Sequence, residues 1–302
     1  MKLSKDNFDR ACQFIEEKAR PIDKALFRYH FHSGTAESVL AELARYQNAD
    51  GGFGHGLEAD FRLAASSPMA TSVGLQYAAA VNTPPEHPMI TQAMRYLVST
   101  YDPVENYWPA TFLDVNDEPH APWWSLNEVC APPEDNWSNP SAELAGYVSL
   151  YAGSDLTDFR AKVEKRVIQN LERGGGMTGA MKFYNILCWQ RVLPYYLPDI
   201  QERITTCMRT AVASISLNAE ELMEMNICWL APDPNSVIAQ TLPNRVSELI
   251  DGEITRQSDD GGWWPTWEWG QYPDEWRIAR QEWAGKITLE TLLALRAHGR
   301  CC

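Results

Sequence analysis

Gln47-Asn48-Ala49-Asp50-Gly51-Gly52-Phe53 returns near the other end of the chain as Gln257-Ser258-Asp259-Asp260-Gly261-Gly262-Trp263, so that both copies read Q-x-x-D-G-G-aromatic. A repeated turn at wide spacing is the mark of a fold built from similar units laid side by side. The flanks agree. Each turn closes a stretch whose apolar residues recur at helical spacing beside a charged stripe, 36–47 and 243–257. Each is followed, after a loop, by a helix of small and apolar residues, 68–81 and 284–297. The first kind suits an outer helix with one wet face, and the second an inner helix covered all round.

Working outward, outer helices are expected over 6–19, 36–47, 87–100, 156–173, 199–217 and 243–257. Inner partners are expected over 22–32, 68–81, 140–152, 178–193, 219–230 and 284–297. Ser67-Pro68 and Asn139-Pro140 put a capping side chain ahead of a proline in the first turn. Strand signals are weak throughout. Six consecutive helix hairpins that bury their stripes only against neighbours predict an all-α chain, an (α/α)6 toroid, as one domain over 1–302. The long outer-to-inner connections, 48–67, 101–139 and 258–283, gather on one face, which is where function is expected. Gly174-Gly175-Gly176 lacks the strand and lysine of a phosphate loop and reads as a helix C-cap.

A chain of 302 residues with 45% hydrophobic residues can fill one large core, and no Ser/Gly/Pro-rich linker divides it. The formal net charge of −14 repels phosphate backbones, so no nucleic acid partner is expected. Neither a signal peptide nor a membrane-spanning run is expected from the residues, and the expected location is the cytoplasm. Seven cysteines without CxxC spacing read as reduced thiols, including the terminal Cys301-Cys302 pair, which resembles a prenylation signal but reads as two surface thiols.

The two turns resemble those of the terpenoid cyclase and protein prenyltransferase superfamily, as does Gly51-Gly52-Phe53-Gly54 followed by Ser67-Pro68-Met69-Ala70-Thr71-Ser72-Val73-Gly74-Leu75-Gln76-Tyr77-Ala78-Ala79-Ala80. The resemblance implies an α/α toroid with a small-molecule cavity. It also exposes departures. Asp114-Val115-Asn116-Asp117 has Asn116 where the D-x-D-D element of the cyclases places its proton donor. No D-x-C pair for zinc and no DDxxD element for a magnesium-bound diphosphate is present, so no cofactor is assigned.

Candidate chemistry lies in the loops. His55-Gly56-Leu57-Glu58-Ala59-Asp60-Phe61-Arg62 supplies carboxylates for general acid–base work, or else a loop held by an Arg62 salt bridge. The closing loop holds Trp263, Trp264, Trp267, Trp269, Trp276 and Trp283, six of the twelve tryptophans, with Glu268 and Glu282 among them. Indoles at that density either stack on a substrate or plug one end of the ring. A matching loop carries Trp108, Trp123, Trp124 and Trp137 with Asp114, Asp117, Glu118, His120, Glu128, Glu134 and Asp135. The echo Asn185-Ile186-Leu187-Cys188-Trp189 and Asn226-Ile227-Cys228-Trp229 reads as core.

The expected function is a cyclase-like enzyme that transfers a proton to or from a hydrophobic, isoprenoid-type small molecule. Asp60 or Glu58 is the acid, with Asp114 and Glu268 as alternates. His55, Arg62, Trp124, Trp137, Trp264, Trp267 and Trp283 contact the substrate. The rival is a carbohydrate-active toroid, hydrolase, lyase or epimerase, with indoles on sugar faces and two carboxylates at the scissile bond. A third class, a binding protein without chemistry, predicts affinity without turnover.

Overall fold

A computed structural model describes residues 1–215, 217, 222 and 225–301. Among them the regular structure is helical, and β pairing is limited to isolated bridges such as Phe61 with His120. The chain divides into two compact units, one of Met1–Ser38 with Val212–Cys302 and the other of Val39–Ala211. They are called here the terminal and the middle unit.

The middle unit runs from within α3 (Ala36–Leu43) through α4 (Pro68–Ala80), α5 (Pro88–Thr100), α6 (Ser138–Tyr151), α7 (Thr157–Glu172) and α8 (Lys182–Val192) into α9 (Pro198–Ser214). α4 and α6 carry small residues all round and are buried on nearly every face. α5 and α7 each bury one stripe, which in α7 is Val163, Val167, Asn170 and Leu171. α6 packs most extensively on α8. Gly146 permits that approach, since a Cβ there would stand 2.2 Å from Val192 Cβ. α7 ends as expected at the glycine run: the Gly175 N–H donates to Asn170 O and the Gly174 N–H to Leu171 O, with positive φ at all three glycines.

The terminal unit comprises α1 (Lys5–Lys18), α2 (Pro21–Phe31), α10 (Ile227–Leu230), α11 (Val237–Thr241), α12 (Pro243–Thr255) and α13 (Pro273–Ala297). α13 packs on α1, α2 and α10. Its N- and C-terminal segments meet where the Leu3 N–H donates to Arg300 O at 2.7 Å.

The repeated turn does the same physical work in both units. Gln47 Nε2 donates to Gly51 O and to Met89 O in the first turn of α5, both at 2.9 Å. Gln257 Nε2 donates to Gly261 O at 2.8 Å and to Asn7 O in the first turn of α1 at 2.9 Å. Asp50 and Asp260 each accept the N–H of the second glycine, Gly52 and Gly262. The aromatic residues then drive into the core, Phe53 at 1% and Trp263 at 0% exposure, each worth roughly 1.5–3 kcal/mol of apolar burial. Their N–H groups donate to hydroxyls of the helix that follows, Thr71 on α4 and Thr288 on α13. The motif is a clamp that ties the end of one helix, the next helix and the start of a third.

Several expectations need correction. α13 begins at Pro273, eleven residues ahead of the expected start, so Trp276, Glu282 and Trp283 lie on a helix instead of a loop. Pro273 in the first position and Asp274 and Glu275 in the first turn explain this early start. α8 starts at Lys182 rather than 178, because the glycine run holds the preceding residues in turns. Ser67 caps α4 as expected, accepting from the Ala70 N–H at 3.1 Å. Asn139 caps nothing: its peptide to Pro140 is cis, and its side-chain oxygen lies 3.7 Å from Cys188 Sγ. Of the helix expected over 219–230 only Ile227–Leu230 is seen, while residues 218–221, 223 and 224 lie outside the described residues, as does Cys302.

Candidate functional site

Two loops of the middle unit build the candidate site. The first follows the Gly51-Gly52 turn and doubles back at Gly56, whose φ of +69° suits glycine and whose missing side chain leaves room for the Arg62 guanidinium. The second contains the short 3₁₀ turns Leu113–Asp117 and Pro122–Trp124. Backbone bonds join them, from the Arg62 N–H to Pro119 O and from the Ala121 N–H to Asp60 O, both 2.8 Å, and Phe61 pairs with His120. The result brings Glu58, Asp60, Arg62, His120 and Trp124 to one small region.

Glu58 and Asp60 are buried at 8% and 7% exposure among Leu57, Ala59, Phe61 and Leu63, and the Asp60 N–H donates to Glu58 Oε1 at 3.2 Å. His120 is buried beside them. Its Nδ1 lies 2.6 Å from Glu118 O and its Nε2 2.9 Å from Ser125 Oγ. A carbonyl can only accept, so Nδ1 carries a proton and donates it to Glu118 O. Trp124 stands edge-on to Phe61 at 5.4 Å and 83°, and its buried Nε1–H has no acceptor among the described residues. Carboxyl groups and an imidazole screened from bulk water on a fixed loop pair can relay a proton to a bound molecule.

Other expected site residues take different places. His55 is exposed, with Nε2 at 2.8 Å from Asn48 Oδ1, and clasps its own loop. Asp114 is exposed on its 3₁₀ turn, where the neighbouring Asn116 both donates to and accepts from the Leu126 backbone. Trp137 is buried and committed to packing: its Nε1 donates to Asn106 O, and Arg166 covers its ring at 4.6 Å. Arg166 also grips Glu134 through both carboxylate oxygens. Burial opposes ionisation of Glu134, but hydrogen bonds from Arg166 and Asn170 outweigh it and hold that carboxyl below its ordinary value.

The remaining indoles belong to the terminal unit. Trp263 and Trp269 are core residues. Trp267 and Trp283 meet edge to face at 5.3 Å, and Trp229 lies 6.3 Å from each, so the three pack as one wall. The buried Nε1–H groups of Trp229 and Trp267 have no acceptor among the described residues. Beside Trp267 lies a cleft of about 600 Å³ lined by Trp264, Trp267, Glu268, Trp276, Arg277 and Arg280, among others.

Sequence reasoning passed over one further cluster in the middle unit. Glu143 on α6, 2% exposed, accepts from Gln76 Nε2 at 2.6 Å and Tyr147 Oη at 3.3 Å, and pairs with Arg191 at 3.2 Å. A single acid in a helix without other charged residues was the available signal.

Among the described residues, no group of three or more His, Cys, Asp or Glu side chains is placed to hold a metal ion. No described helix is long and apolar enough to cross a membrane. Burial, with help from Asp9, pushes the Cys12 thiol up to about 11, and burial also raises Cys188 and Cys228. Cys130 is exposed. Iodoacetamide at mildly alkaline pH is therefore expected to label Cys130 well before Cys12, and the two buried thiols last, because only the thiolate reacts. Peptide mass spectrometry against time checks the order, and equal rates at Cys12 and Cys130 would contradict it.

No family model, curated protein or solved structure matches the chain.

Proposed function

We propose that the chain is a cytoplasmic enzyme that transfers a proton on a small molecule, with Asp60 and Glu58 as its carboxyl pair, on a single (α/α)6 toroid of the terpenoid-cyclase type. The toroid is supported by the two clamps, since α1 stands to the second turn as α5 stands to the first. The observation that carries the chemistry is the burial of two carboxyl groups beside a buried histidine on two loops pinned by backbone bonds. Ordinary loops keep their acids in water. The substrate favoured is hydrophobic and isoprenoid in kind: Trp124, edge-on to Phe61, sets an indole beside the acids, where a π face can stabilise a developing cation.

A specific observation favours the carbohydrate reading as second. The cleft beside Trp267 is lined by exposed charged side chains as well as indoles, which suits a hydroxyl-bearing ligand. Soaking crystals in mixed prenyl diphosphates and oligosaccharides, with product analysis by mass spectrometry in parallel, separates the two. A prenyl chain bound beside Asp60 and converted supports the first reading, and a converted sugar the second. Affinity without turnover for either would reduce the protein to a binding module and end the catalytic proposal.

A further inference from the structure

In a chain of net charge −14, two arginines of the terminal unit come together at one cleft, with no carboxylate partner among the described residues. Arg277 and Arg280 lie three apart on α13, both exposed and both lining the cleft of about 600 Å³, a volume within the usual range for small-molecule sites. Arg280 is held in place without neutralisation: its guanidinium lies over the Trp264 ring at 4.6 Å, and the Trp264 Nε1–H is anchored on Asp260 at 3.1 Å. A stacked guanidinium keeps its in-plane N–H donors for another group. Glu268 is the carboxylate of this lining, so the cleft presents two cations against one anion on an otherwise acidic protein.

The apolar part of the lining is equally ordered. Trp267 is fixed edge-on by Trp283 at 5.3 Å, and Trp276 is packed against Trp269 at 5.6 Å. The three-indole wall is too tight to be a cation cage, because its rings already touch at 5.3–6.3 Å and leave no room between them. It can act only as a surface. Indole rings that border the cleft, paired guanidiniums for an anion, and Glu268 as an acceptor together describe a ligand with a flat carbon face, hydroxyls and a carboxylate.

We propose that this cleft binds an acidic saccharide, a hexuronate unit of an oligosaccharide, with its carboxylate on Arg277 and Arg280 and a sugar face on Trp267 or Trp276. Glu268, which has no ion pair among the described residues, accepts from sugar hydroxyls. The inference rests on the carbohydrate reading for the ring, but it concerns binding and is independent of the acid–base role of Asp60.

Calorimetry on the full chain tests it with three probes: a trigalacturonate, a neutral trisaccharide and geranyl diphosphate. Trigalacturonate is expected to bind at least about tenfold more tightly than the neutral sugar, since charge-assisted hydrogen bonds are roughly twice as strong as neutral ones. That preference should disappear in Arg277→Gln/Arg280→Gln, whose exposed substitutions leave the core intact, while Trp267→Phe should weaken both sugars. Equal binding of the two sugars would overturn the acidic inference and leave the carbohydrate reading standing. Binding of geranyl diphosphate alone, or of none of the three, would overturn both.

Discussion

Asp60→Asn is expected to lower turnover by about 10²–10⁴-fold, the usual contribution of a positioned acid or base, while shifting the thermal midpoint by only a few degrees. Two backbone bonds of Asp60 join the loops: the N–H donates to Glu58 Oε1 at 3.2 Å, and the carbonyl accepts from the Ala121 N–H at 2.8 Å. An amide of the same shape keeps both of those bonds and removes the ability to gain and release a proton. Glu58→Gln is the informative companion, because its side-chain oxygen also accepts the Asp60 N–H and the amide remains a weaker acceptor there. The fall should then appear in kcat with some loosening of the loop. Initial rates and circular-dichroism melts of the two variants check both halves, and full retained activity in Asp60→Asn would remove that residue from the mechanism.

The order in which this site becomes visible follows the range of the interactions behind it. Glu58 and Asp60 stand two apart in one loop, so their association can be read directly. Their meeting with His120 depends on the Phe61–His120 bridge across a long stretch of chain, which no local pattern encodes. The same distinction governs the helices. Ser67-Pro68 announces α4 locally, through a cap and a proline with no backbone N–H to satisfy. The first eleven residues of α13 were hidden because Pro, Trp, Asp and Glu together read as loop, whereas packing of Trp276 and Trp283 against other indoles supports a helix there. Asn139 shows the opposite failure: the local signal for a cap was present, but the tertiary setting turned its side chain toward Cys188. Composition alone points Trp137 toward substrate, while its half-buried partners Asn106 and Arg166 come from distant segments.

The clamp, read first from the repeat, also makes the strongest stability prediction. Gly261 and Gly51 both sit at φ +91°, and a Cβ would fall 2.4 Å from Arg10 O in the one and 2.3 Å from Gln92 O in the other. These are helix carbonyls and cannot swing aside, so α1 or α5 must move bodily. That motion would stretch the bonds from Gln257 to Asn7 and from Gln47 to Met89. Backbone strain and overpacking together put the cost of Gly261→Ala on the order of 3–5 kcal/mol, and Gly51→Ala should match it. For a chain of this size that corresponds to a fall in Tm on the order of 10 °C. Gly252→Ala is the control: this exposed glycine lies within α12, and a Cβ there meets nothing within 4 Å. It should gain about 0.4–1 kcal/mol through the less flexible unfolded chain. Thermal melts of the three variants should therefore split in sign. If Gly261→Ala melts with the parent protein, the turn is an ordinary loop, the likeness between its two copies loses its mechanical meaning, and the proposed ring of helix pairs loses its main support.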